Sequence, residues 1–180
     1  MAGANFSTTL AKTTPSGIVS GDPFLVSYNA DIQGQYLAGN SWVVNSLFGR
    51  IYNETAGSIV NTSAKMKWRR LELAQCKAYA ITALDFPSLV DNATSTLTIS
   101  VPCTFDDFVY WGGALDTRAM FISASVSALN TVAITATSLT GTVDLASANY
   151  GAYVVKPEVF DFIASKMVAV SVAEIGRAHV

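Results

Sequence analysis

Charged and aromatic side chains crowd into two short stretches of this chain, and each stretch suggests a chemistry. In the first, Lys65, Lys67, Arg69 and Arg70 surround Met66 and Trp68. Four cations beside an indole suit neutralisation of phosphates, with the ring free to stack on an unpaired base. They equally suit a solvated hairpin end that feeds a strand. The second stretch holds Phe105, Asp106, Asp107, Phe108, Tyr110 and Trp111, with Asp116 a little further on. Its four rings either plug a core or anchor a partner at a subunit contact. Asp106 and Asp107 can offer oxygen ligands to a metal such as calcium. They can also act as a hydrolytic carboxylate pair if they converge in space, or simply face water.

Other chemistries lack their residues. The single histidine, His179, lies within residues 175–180, Ile-Gly-Arg-Ala-His-Val. These six resemble the translation of a sequencing adapter, so residues 174–180 are expected to be a non-native tail. Without His179 the chain has no histidine, and Ser-His-Asp or Cys-His mechanisms lose their base. Zinc sites lose a common ligand as well. No phosphate-cradling, dinucleotide-binding, metalloprotease or nucleophile-elbow motif occurs. Cys76 and Cys103 form no CxxC pair and read as small buried side chains. No enzyme activity, cofactor or small-molecule substrate is expected.

These residues must be positioned by a fold that the rest of the sequence describes. The chain has 180 residues, 51% hydrophobic and only 13% charged, with a net charge of −2. That composition excludes disorder and fits one domain. It also excludes a polybasic nucleic-acid protein. Residues 1–10 lack a signal-peptide pattern, and no run approaches the roughly 20 apolar residues of a membrane span. Synthesis without a signal peptide is expected.

Periodicity points to strands. Leu97, Ile99 and Val101 alternate with Thr96, Thr98 and Ser100. Met120, Ile122, Ala124 and Val126 alternate with Phe121, Ser123, Ser125 and Ser127, and Val132, Ile134 and Ala136 with Thr131, Ala133, Thr135 and Thr137. A period of two marks strands with one buried face. Leu97, Ile99, Val101, Met120, Ile122, Val126, Val132 and Ile134 are therefore expected to share a core between two sheets. Residues 24–28 and 41–52 read as further strands, and 31–40 as a loop. Residues 67–84 mix helix formers with alternation and read as one long strand ending at Pro87. Residues 157–173 suit either a helix opening at Pro157 or a last strand.

A resemblance to a family adds to this pattern. Residues 68–81, Trp-Arg-Arg-Leu-Glu-Leu-Ala-Gln-Cys-Lys-Ala-Tyr-Ala-Ile, resemble the basic, aromatic start of a long strand in coat proteins of small icosahedral positive-strand RNA viruses. Residues 96–102 with 104–111, and residues 131–145, are similar to later strands of the picorna-like and tombus-like jelly rolls. Many such coats carry a basic N-terminal arm, whereas residues 1–22 hold only Lys12. The resemblance implies an all-β chain, an antiparallel β-sandwich of jelly-roll type. Residues 1–22 would be an extended arm and 23–173 a single sandwich domain. It implies a capsid subunit that assembles with itself into a homo-oligomeric shell, or virion, around single-stranded RNA. Two alternatives stand beside it. One is the coat protein of a single-stranded RNA phage, with a sheet flanked by helices. The other is a carbohydrate- or protein-binding β-sandwich module.

Overall fold

A computed structural model describes residues 6–13, 17–28, 35–41, 43–53, 66–117, 120–139 and 141–156. Among these residues there are strands and a single 3-10 turn, and no α-helix. Every strand pairing is antiparallel.

Two three-stranded sheets share the main core. One has the order β7 (Thr94–Ser100), β10 (Thr131–Ser138), β9 (Met120–Ala128). The other has the order β6 (Cys76–Leu84), β11 (Ala148–Val155), β8 (Phe108–Gly113). Ile99, Val101, Met120, Ile122, Val132 and Ile134 from the first sheet meet Leu84, Tyr150, Ala152 and Val154 from the second in one buried cluster. Leu97 and Val126 pack against it, half-buried. The eight aliphatic residues expected together thus lie together. Each fully buried one contributes about 1.5–3 kcal/mol of transfer free energy.

The polar alternation of the first sheet also finds its place. Thr94 and Thr96 are exposed and face Thr137 and Thr135 across the β7–β10 ladder. Their hydroxyls pair at 3.0 Å in both cases. Asn130, at φ 58°, takes the left-handed position of the β9–β10 hairpin, which asparagine tolerates better than most residues.

The chain changes sheet from β6 to β7, from β7 to β8, from β8 to β9 and again from β10 to β11. The resulting pairings are nested. Among these six strands the first pairs with the last, and the second with the fifth.

The N-terminal residues form two smaller sheets. β1 (Phe6–Thr13), β4 (Ser46–Asn53) and β3 (Gln35–Asn40) make one, in the order β1-β4-β3. β2 (Phe24–Tyr28) pairs with β5 (Met66–Arg70) in the other. Several expectations are corrected here. The expected loop at 31–40 contains β3, while β1 lies within the stretch expected as an extended arm and is itself extended backbone. The strand expected over 41–52 begins only at Ser46. The single strand expected over 67–84 is two, because Leu71 turns into a small core with Cys76, Tyr153 and Val155. The helix formers that follow make one 3-10 turn, Leu73–Gln75, closed by a bond from Glu72 N–H to Gln75 Oε1 at 3.0 Å. Both cysteines are buried and neither forms a disulfide. The choice between helix and strand for 157–173, and the expected tail at 174–180, lie outside the described residues.

Candidate functional site

Among the described residues, the outer face of the β6–β11–β8 sheet brings together Tyr79, Tyr110, Tyr153 and Phe108. Register places Tyr79, Tyr153 and Tyr110 in one row across the three strands. Tyr79 and Tyr153 stack, with centroids 6.2 Å apart and planes 14° from parallel. The next row is Ile81, Gly151 and Gly112. The Tyr153 ring lies over Gly151, where a Cβ would collide with it.

Half of this face is covered by the chain itself. Segment 17–23 crosses β8 so closely that a Cβ on Gly112 would run into the Gly21 carbonyl. Tyr153 Oη donates to that carbonyl at 3.4 Å, and Leu71 N–H donates to Pro23 O at 3.0 Å. Arg70 fastens the crossing. Its Nε lies 3.0 Å from Asp22 Oδ2, and its Nη1 donates to Gly17 O at 2.7 Å. Asp22 Oδ2 also accepts from Val19 N–H at 3.0 Å. Burial, reinforced first by the nearby Asp22 charge, pushes the Tyr153 hydroxyl up to about 12. Between the crossing and the sheet lies a cavity of about 410 Å³, lined by Val19, Asp22, Arg70, Leu71, Ile81 and Tyr153 among others.

The other half, along β6, is open. Tyr79 is 49% exposed and Ile81 56%. Leu73, just before β6, is exposed too, and Phe108 is exposed on β8 at the far edge of the sheet.

The residues singled out from the sequence are distributed unevenly over this surface. Arg70 is spent on holding segment 17–23. Arg69 is exposed and, as its neighbour on β5, points to the opposite face. The side chain of Lys67 and the whole of Lys65 lie outside the described residues, so the grouping of the four cations does too. The expected aromatic loop is in part a strand, since β8 begins at Phe108. Phe108 and Tyr110 therefore face outward, while Trp111 packs against the main core. Phe105 stands exposed in the turn before β8.

Asp106 and Asp107 part company as well. Asp106 is exposed. Asp107 closes the turn, accepting from Thr104 N–H at 2.8 Å and from its hydroxyl at 3.1 Å. Lys77 Nζ then donates to both carboxylate oxygens, at 3.1 and 3.0 Å. Burial opposes ionisation of Asp107, but these hydrogen bonds and the Lys77 charge outweigh it and hold the carboxyl below its ordinary range. Among the described residues no group of three or more His, Cys, Asp or Glu side chains could hold a metal ion.

The sequence reading passed over Tyr153 and the Asp22–Arg70 tie. Tyr79 and Ile81 were visible as an alternating pair, but spacing alone did not tell which face water would meet. No family model, curated protein or solved structure matches this chain.

Proposed function

We propose that the chain is a structural subunit of a self-assembling shell, an icosahedral virus capsid that encloses single-stranded RNA. The proposed architecture is a β-sandwich of jelly-roll type. One observation carries this reading: the nested pairing of β6 with β11 and of β7 with β10, spread over two sheets that share a core. Winding one long hairpin around a core gives this order, and jelly rolls are wound that way. The tyrosine face supplies an apolar surface of the kind that subunit contacts bury. Phe105, Phe108 and Tyr110 are the subunit-contact residues in this reading. Lys65, Lys67 and Arg69 are the RNA contacts, and Arg70 is a positioning residue.

The test is expression followed by size exclusion, electron microscopy and measurement of nuclease-protected RNA. Closed particles containing RNA are expected. Replacing Lys65, Lys67 and Arg69 by Ala together removes about three phosphate contacts. That flattens the log–log salt dependence of RNA binding by about 2. Failure to form particles at any salt concentration, with no co-purifying RNA, would overturn the reading.

A further inference from the structure

We propose that β6 is a self-recognition edge, on which a second copy of this chain pairs antiparallel across a two-fold axis at Ala80, joining two three-stranded sheets into one of six. β6 is an edge strand, bonded to β11 on one side, and no described strand pairs with its other side. Its nine residues extend about 30 Å at roughly 3.4 Å each. From Ala78 to Leu84 they lack the devices that protect an edge from pairing, which are confined to the Cys76–Lys77 end. There is no proline, and the one charge, Lys77, is already neutralised by Asp107. The single irregularity is the bulge at the Cys76 end.

The occupant follows from self-complementarity. In a two-fold antiparallel pair, side chains share a face only in registers that shift by two residues. Centring on Ala80 places Tyr79 opposite Ile81 of the partner, and Ile81 opposite its Tyr79. Both are outward-facing and exposed, and aromatic–β-branched pairs favour adjacent strands. The same register sets Lys77 against Ala83, so no like charges meet. Centring on Tyr79 would instead set Lys77 against Ile81, and centring on Ile81 would leave Tyr79 facing only Ala83. A second copy presents this same apolar stripe and an equally unpaired backbone edge. The contact stands on the geometry of β6 and does not rest on the shell reading.

Charge placement tests the register. The variant Tyr79→Lys/Ile81→Lys puts lysine opposite lysine twice and is expected to weaken dimerisation at least tenfold by sedimentation equilibrium. The variant Tyr79→Lys/Ile81→Glu puts each lysine opposite a glutamate of the partner and is expected to retain the dimer. Val90→Lys, on an exposed residue outside the strand, leaves the dimer unchanged. Thermal melts establish that each variant folds. In the unmodified protein, hydrogen exchange shows alternate β6 amides gaining protection as concentration rises. A dimer that survives two lysines, or β6 amides that exchange freely at every concentration, overturns the proposal. Dimers without particles would sink the shell reading and leave this edge standing. Particles with unprotected β6 amides would do the reverse.

Discussion

Tyr150 is the most informative single residue to change, because its hydroxyl is a cost that the fold bears. The side chain is 0% exposed. Its ring meets Phe86 edge-on, with centroids 5.5 Å apart, and lies against Gly113 on the neighbouring strand. The ring is well packed, but the Oη atom is buried with no hydrogen-bond partner among the described residues. An unsatisfied buried hydroxyl costs about 1–3 kcal/mol. Tyr150→Phe removes that cost and keeps the ring, at the expense of a void one oxygen in size. The expected net effect is a stabilisation of about 1 kcal/mol, which raises Tm by about 2–4 °C at this chain length. Calorimetry or a urea titration measures it. An independent readout is alkaline unfolding. Burial pushes Tyr150 up to about 12, against an ordinary value of about 10. The folded state therefore keeps a proton that the unfolded chain releases. Stability from this source is complete below pH 10 and falls between pH 10 and 12, by about 1.4 kcal/mol per pH unit for each such group. Tyr153 behaves likewise, and burial also raises Tyr110 and the Cys76 thiol, so Tyr150→Phe removes one of several contributions and makes the alkaline slope shallower. Destabilisation by more than about 1 kcal/mol, or an unchanged alkaline slope, would refute the account of Tyr150 as a buried, unpartnered phenol.

Gly112→Ala forces a methyl into the Gly21 carbonyl. It is expected to cost about 1–3 kcal/mol in a denaturant titration and to loosen segment 17–23 against proteolysis. Arg70→Ala strands the buried Asp22 carboxylate and is expected to destabilise by about 1–3 kcal/mol, whereas Arg69→Ala stays within about 0.5 kcal/mol; equal stability losses would contradict the division of roles. Asp107→Asn removes a carboxylate whose folded-state ionisation is favoured. The stability it supplies is present above the ordinary carboxylate range and lost as pH falls through the lower folded value. The variant should therefore lose stability at neutral pH and show a shallower acid dependence, as read from urea midpoints between pH 2 and 6.

How legible each element is in the sequence depends on how many of its faces meet water. β7, β9 and β10 announce themselves because Thr94, Thr96 and their neighbours are solvated while Ile99, Ile122 and Ile134 are not. β11 gives no such signal. From Tyr150 to Val155 every residue is buried, since one face joins the main core and the other lies under Leu71 and Tyr110. A strand covered on both sides loses its alternation and reads as an undifferentiated apolar run. The break between β5 and β6 is invisible for another reason. No proline or glycine marks it, and only the second small core explains why Leu71 turns inward. At the site, Arg70 reads as one cation among four. Its partner Asp22 lies 48 residues earlier (70 − 22), and nothing in local spacing encodes that contact.

The two sheets also differ in what their outer faces allow. The outer face of the β7–β10–β9 sheet is lined with threonine and serine, whose hydroxyls bond across the strands and stay hydrated. Burying that face against a partner would cost the hydration of every such group. The β6–β11–β8 sheet carries tyrosine and isoleucine outward, and the chain has already used half of that surface to seat segment 17–23. The crossing works because Gly112 and Gly151 let backbone and ring approach closely. β6 has no such covering among the described residues, yet it has the same kind of side chains. The same apolar face that the fold needs to hold its own N-terminal crossing is thus continued, one strand over, to where a neighbour can reach it.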